Sequence, residues 1–340
     1  MNKRTTVSLA AVAAIAAVGM ANPAAADSVS DFYQGKTVTV MVPSGLGATL
    51  GLYGQLVTDH LAAHIPGHPT VIIQSRPGGG GTRGAAFAYN AAPRDGTFIA
   101  EVLAPSIYMP LLRHMKFDAS KFVWLGSLTP RPAVISVWHT APAKTLAEAE
   151  KTEVIMGSTG LGSETYIVPT LMNHLLGTKF KVVKGYKGGG ALNKAMEAGE
   201  IQGRMQYWSG WTAGKPQWLK KHMLVHLVKY GGDIPDISKV PQLVDLVKSQ
   251  AAKDMVRFIE TSPKIGMGFW VHPDVPADRI AALRKAFMDM MKDKAFLASA
   301  ARRAAPIQPV DGETLGKIVK DAYNTPKATV ADLKKVLGFK

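Results

Sequence analysis

The chain has 340 residues, with 40 lysines and arginines against 25 aspartates and glutamates, and it contains no cysteine. The length allows two domains with sizeable cores, and the missing cysteine excludes disulfides, thiolate metal sites and a cysteine nucleophile. A net charge of +15 suits the steering of small anions. Nucleic acid is not expected as a partner, because pairs such as Lys220-Lys221 and Arg302-Arg303 are scattered and build no basic arm.

Residues 1–26 read as a secretory signal peptide. Lys3 and Arg4 precede an apolar run from Leu9 to Met20, and Ala24-Ala25-Ala26 supplies small residues for cleavage before Asp27. The run is short for a membrane span, so a soluble, exported protein is expected, with the periplasm as its compartment.

Thr37–Val42 is a β-branched run that predicts a buried strand. Pro43, Ser44, Gly45 and Gly47 break it, and from Thr49 the residues Leu50, Tyr53, Val57 and Leu61 recur at helical spacing. A strand, a glycine-containing loop and a helix start form a natural anion seat. Thr70–Gln74 predicts a second strand, followed by the glycine-rich stretch Arg76–Gly84, a helix to Asn90, a turn at 91–97 and a third strand, Phe98–Leu103. This alternation implies a parallel sheet with helices on both faces, its loops gathered at the carboxyl ends of the strands.

Val134–Trp138 predicts another strand, and Thr145 caps a short helix with an acidic first turn. The opening pattern then returns in Glu153–Thr165 as strand, Gly/Ser/Thr loop and helix start. Two copies of one device predict two similar domains facing each other. Phe180–Val183 is the next strand, followed by a third glycine loop from Gly185, a helix Ala191–Ala198 and a strand ending at Tyr207. Trp208 and Trp211 follow in what reads as a loop, so a ligand wall or domain seam is expected of both. Met223–Leu227 is a strand and 231–240 a loop. Val256–Ile259 and Met267–Val271 are expected to lead back to the first domain, and His272 opens an amphipathic helix carrying Ile280, Leu283, Phe287 and Met291 on one face. No segment is rich enough in Pro, Gly or Ser to isolate a contiguous domain, so crossing strands are expected to join the two.

Three other chemistries compete. His60, His64 and His68 are spaced by four, but Pro66 and Gly67 interrupt the helix that would align them, so no metal site is expected. Ser158 and Ser163 raise an exported serine hydrolase, although the loop lacks the G-x-S-x-G elbow. The stretch from Gly78 is no Walker loop, since no G-K-[ST] follows, and no cofactor is expected.

With these loops in hand, the chain resembles the periplasmic solute-binding proteins of the tripartite tricarboxylate transporter, or Bug, family. The carriers are F-Y-Q-G-K-T-V-T-V-M-V (32–42), the loop at 43–49, Q-S-R-P-G-G-G-G-T-R-G-A (74–85), A-A-P-R-D-G-T (91–97), G-S-T-G-L-G-S (157–163), G-Y-K-G-G-G (185–190) and P-A-D-R-I-A-A-L-R (276–284). The resemblance implies a two-domain α/β fold of the periplasmic-binding-protein type II class, each domain a mostly parallel sheet flanked by helices. Domain 1 would comprise 27–131 plus 264–340, and domain 2 would comprise 132–263. It implies a carboxylate ligand held between the domains and delivered to the large and small membrane subunits of a transporter. A non-enzymatic monomer that closes on a small organic carboxylate is therefore expected, with a sensory subunit presenting the ligand to a receptor kinase as the alternative binding role.

The implied ligand contacts are Ser44, Gly45, Leu46, Gly47, Ala48 and Thr49 from the first loop, and Ser158, Thr159, Gly160, Gly162 and Ser163 from the second. Ser106, Tyr186 and Trp208 would complete the cleft. In the first loop the chain departs from the family pattern, because the usual aspartate and arginine positions fall on Gly51 and Gln55. A carboxylate without an ammonium group is therefore the expected ligand.

Overall fold

The computed structural model describes residues 23–339. The signal-peptide reading rests mainly on residues 1–22, which lie outside the described residues. The first helix, Pro23–Tyr33, leads into β1, Thr37–Val42, in which Val38, Val40, Met41 and Val42 are fully buried. Further strands of the first lobe are β2, Thr70–Ser75, β3, Phe98–Glu101, and β4, Val123–Ser127. β1 pairs in parallel with β2, Thr37 opposite Thr70, and on its other side with β3, Thr39 opposite Phe98. Helix Thr49–His60 turns Leu50, Tyr53, Leu56 and Val57 onto one face of this sheet, while helix Thr82–Asn90 turns Ala85 and Ala88 onto the other. That division is the βαβ arrangement expected from the alternating pattern.

The second lobe holds β5, Ala133–Trp138, β6, Val154–Ser158, β7, Phe180–Lys184, β8, Gly203–Tyr207, and β9, Leu224–Tyr230, in the order β7-β6-β8-β5-β9. β6 is parallel to β7 and β8, and β5 runs antiparallel to β8 and β9. All six residues of β5 are buried, because one face packs on helices Glu164–Leu176 and Gln250–Ile265 and the other on helix Gly189–Glu197 with Trp211 and Trp218. Thr145 caps the short helix Leu146–Ala149 through a reciprocal pair with Glu148, as the sequence predicts.

The chain then returns. β10, Gly268–Val271, inserts antiparallel between β3 and β4, and β11, Val310–Asp311, completes a first sheet of order β11-β4-β10-β3-β1-β2. Val256–Ile259 lies inside the 16-residue helix Gln250–Ile265 rather than in an extended return path, since Met255, Val256, Phe258 and Ile259 recur at helical spacing against the core. The two crossings between lobes are hydrogen-bonded to each other: Leu128 N–H donates to Met267 O at 3.0 Å, Met267 N–H to Thr129 O at 3.0 Å and Arg131 N–H to Pro263 O at 2.7 Å. Gly266, at φ +58°, sits so close to Thr129 that a Cβ would lie 2.1 Å from its carbonyl oxygen.

A third connection is made by the last helix, Lys327–Leu337. It follows first-lobe elements in sequence, yet Leu333 and Leu337 are fully buried among second-lobe residues such as Leu171 and Met172. Burying each leucine is worth roughly 1.5–3 kcal/mol. Tyr108, Met109 and Leu112 from the first lobe join the same cluster, so the seam between the lobes is apolar on this side.

Candidate functional site

The loops that follow β1 and β6 face a cleft between the lobes. Its largest compartment, about 730 Å³, has Leu46, Gly47, Ala48, Thr49, Tyr53 and Gln55 on one side and Gly189, Gly190, Asn193, Gln206 and Ser209 on the other. A smaller one, about 160 Å³, lies between Gly80, Leu103 and Pro105 of the first lobe and Thr159, Gly162, Ser163, Arg204 and Gln206 of the second. Gln206 belongs to both walls. A third, about 190 Å³, contains Trp208 and shares Tyr53, Arg131 and Ser209 with the largest. Another cavity of about 530 Å³ lies far from these loops, between helix Gln250–Ile265 and the C-terminal helices, and holds none of the predicted residues.

The first loop is lightly bonded. Ser44 Oγ donates only to the neighbouring Gly45 carbonyl at 3.2 Å, and Ser75 Oγ donates to Ser44 O at 2.7 Å. Ala48 is the N-cap of helix Thr49–His60 and brings no side-chain acceptor, so the first-turn N–H groups lack a cap. Gly51 is required here, because a Cβ would lie 2.2 Å from Leu46 O, where the loop folds back over the helix. The space a side chain at position 51 would take is thus occupied by the loop's own backbone. Gln55 donates to Asp59 at 2.7 Å, and Asp59 also pairs with Arg303 at 2.7 Å on the rim.

The second loop is knit by hydroxyls around Thr165. The Thr165 Oγ1 lies 3.1 Å from Ser158 Oγ and 2.8 Å from Ser163 Oγ, and it accepts the Thr159 N–H at 3.1 Å. Ser158 Oγ also accepts the Gly160 N–H at 3.1 Å, and Ser163 caps helix Glu164–Leu176 by accepting from Thr165 N–H. The partners of Ser158 and Ser163 are hydroxyls and backbone groups rather than a histidine, which removes the support for a serine nucleophile.

Several predicted residues stand elsewhere than on the cleft walls. Ser106 is fully buried and its hydroxyl has no partner. Tyr186 is half-buried against the second-lobe core, and the third glycine loop reaches the cleft through Gly189 and Gly190 instead. Ser44, Gly45, Ser158 and Gly160 line none of the three compartments. Trp208, by contrast, stands on the wall of the 190 Å³ compartment and donates from Nε1 to Asp236 at 2.9 Å. Trp211 is core: fully buried, it donates to Ser136 Oγ at 3.1 Å, because the segment Trp208–Thr212 is a helical turn that carries it inward. A Cβ at Gly80 would lie 3.9 Å from Gly162 O across the cleft, an ordinary contact distance.

The charged groups of the cleft went unread in the sequence. Arg131, on the crossing after β4, stacks its guanidinium 3.8 Å from the Tyr207 ring centre. Its charge acts on two buried acids, Glu101 at the end of β3 and Glu164 at the start of its helix. Burial pushes Glu101 well above the carboxylate range, and neither of its oxygens has a partner. Burial also raises Glu164, opposed by hydrogen bonds from Tyr207 and Tyr230 to Oε2, with Oε1 unpartnered. Tyr53, which donates to Pro306 O at 3.0 Å, is pushed up to about 12 by burial. Arg204 on β8 is buried and lowered by desolvation to about 10. Among the described residues, no group of acids and histidines is arranged to hold a metal.

A family model described as tripartite tricarboxylate transporter family receptor matches residues 57–219. No curated protein matches the sequence. Among solved structures, the chain is similar to a TctC solute-binding protein from Polaromonas at 18% identity, over 90% of this chain and 99% of that one, with a TM-score of 0.65. An R. palustris protein with adipate is also 18% identical over 89% of this chain and 97% of its own, with a TM-score of 0.63. MatC from Rhodopseudomonas palustris with bound malate is 19% identical over 89% and 99%, with a TM-score of 0.61. These likenesses show the two-lobed fold.

Proposed function

We propose that the chain, whose residues 57–219 match the model of the tripartite tricarboxylate transporter family receptor, is a periplasmic solute-binding receptor of that family that captures a small organic carboxylate between its lobes. The carrying observation is the cleft itself, in which the loops after β1 and β6 approach from opposite lobes, one with an uncapped helix start and the other with a preformed hydroxyl network. Adipate and malate held by proteins of the same fold support this ligand class. Leu46 to Thr49 contact the ligand from the first lobe and Thr159, Gly162 and Ser163 from the second, with Ser44, Gly45, Ser158 and Gly160 holding those loops in shape. The protein acts as a monomer without catalysing a reaction, closes by rotation about the crossings at 128–132 and 263–267, and hands its ligand to large and small membrane subunits.

Isothermal titration with acetate, benzoate, malate, adipate and glutamate tests the reading. At least one carboxylate without an ammonium group is expected to bind with a saturable heat. Absence of binding across the panel would contradict the reading, and tight binding of glutamate alone would contradict the expectation about the ammonium group.

A further inference from the structure

Arg204 is a buried cation without a carboxylate beside it. Only 3% of the residue is exposed. Its Nε donates to Met205 O at 3.1 Å, and Nη1 donates to Gly189 O at 2.8 Å and to Asn193 Oδ1 at 2.9 Å. All three acceptors are neutral. Buried charges are ordinarily paired, because desolvation penalises an isolated one, and even lowered to about 10 the guanidinium keeps its proton at neutral pH. These three bonds leave the two N–H donors of Nη2 unused.

The residue also forms part of the wall of the 160 Å³ compartment, together with Thr159, Ser163 and Gln206. Glu164 stands in the same wall, with Oε2 engaged by Tyr207 and Tyr230. Around the other cleft arginine, Arg131, stand two acids that feel its charge, Glu101 and Glu164. Arg204 has none from the protein.

Building on the functional reading above, we propose that Arg204 is the specificity-determining cation of the site: a ligand carboxylate seats in the small compartment as its missing counter-ion and accepts from Nη2. A guanidinium presents donors in a planar fork suited to a carboxylate. The third glycine loop then has a role in the site, since the Gly189 carbonyl and Asn193 fix the guanidinium from behind.

The test supplies the counter-ion from the protein. N193D keeps the shape of the Asn193 side chain and its acceptor but adds a charge within hydrogen-bond distance of Nη1, so the fold is expected to persist by circular dichroism. Affinity for the panel carboxylate that binds the unaltered protein is expected to fall about 30-fold or more. R204Q is expected to lose affinity comparably, with R204K retaining part of it. Q55E, which adds a charge to the opposite wall of the large compartment, serves as the control for general repulsion and is expected to cost much less. Unchanged affinity in N193D, or equal losses in N193D and Q55E, would overturn the proposal while leaving the carboxylate reading intact. Failure of the unaltered protein to bind any panel member would overturn both.

Discussion

The two loops that the sequence presents as copies of one device are built differently. The second is closed on itself: the Thr165 hydroxyl gathers Ser158, Thr159 and Ser163, and Ser163 caps the helix. The first has a bare helix start and bonds chiefly to its own backbone. Beneath each lies one buried glutamate, and these differ in the same sense. Glu164 under the second loop receives hydrogen bonds from Tyr207 and Tyr230, whereas Glu101 under the first receives none. In the proposed function the second loop is a preformed half-site and the first an open one.

The largest effect is expected from breaking the preformed half. T165V conserves shape but removes the shared hydroxyl, leaving Ser158, Ser163 and the Thr159 N–H without their common partner. Stability should fall by about 1–3 kcal/mol in urea denaturation, and carboxylate affinity should fall with it. A stability loss without an affinity loss would detach the hydroxyl network from the site.

The glutamates differ next. Because burial raises Glu101, the folded chain holds its proton more tightly than the unfolded chain does. That contribution is present below the ordinary value of 4.5 and is lost as pH rises from there toward the folded value. E101Q removes the titration. Relative to the parent it should gain stability as pH rises above 4.5, with the difference smallest below that pH. A difference independent of pH would show that Glu101 does not titrate on unfolding. The smallest effect belongs to S44A, since that hydroxyl meets only the adjacent carbonyl. Thermal denaturation should register a change within about 0.5 kcal/mol, and a larger one would mean that the first loop is more tightly bonded than its geometry indicates.

Much of the scaffold is legible in the chain because it rests on local signals. β-branched runs ended by glycine locate β1, β2, β6 and β7, and Gly51 marks the altered first loop before any contact is known. The run Val123–Ser127 carries the same strand composition, yet the element order alone does not call for it, and β4 emerges only with its partner β10. Trp211 follows Trp208 by three residues, a helical spacing that carries it into the core once the segment coils. The charged interior is the least legible part. Arg131 and Arg204 are single basic residues in a basic chain, and nothing local distinguishes a buried one from a solvated one. The available hint at Arg204 is its place inside the short strand G-R-M-Q-Y. The last helix illustrates the same limit, since its amphipathic pattern fixes a buried face but not which lobe receives it.

The central claim is that one carboxylate bridges an open half-site and a preformed one. Hydrogen–deuterium exchange, with and without the panel carboxylate that binds, addresses it directly. Amides of 45–52 should exchange rapidly in the free protein and slow strongly on binding, while those of 158–165 should be slow beforehand and change little. Protection confined to other segments, or rapid exchange at 158–165 in the free protein, would contradict the account.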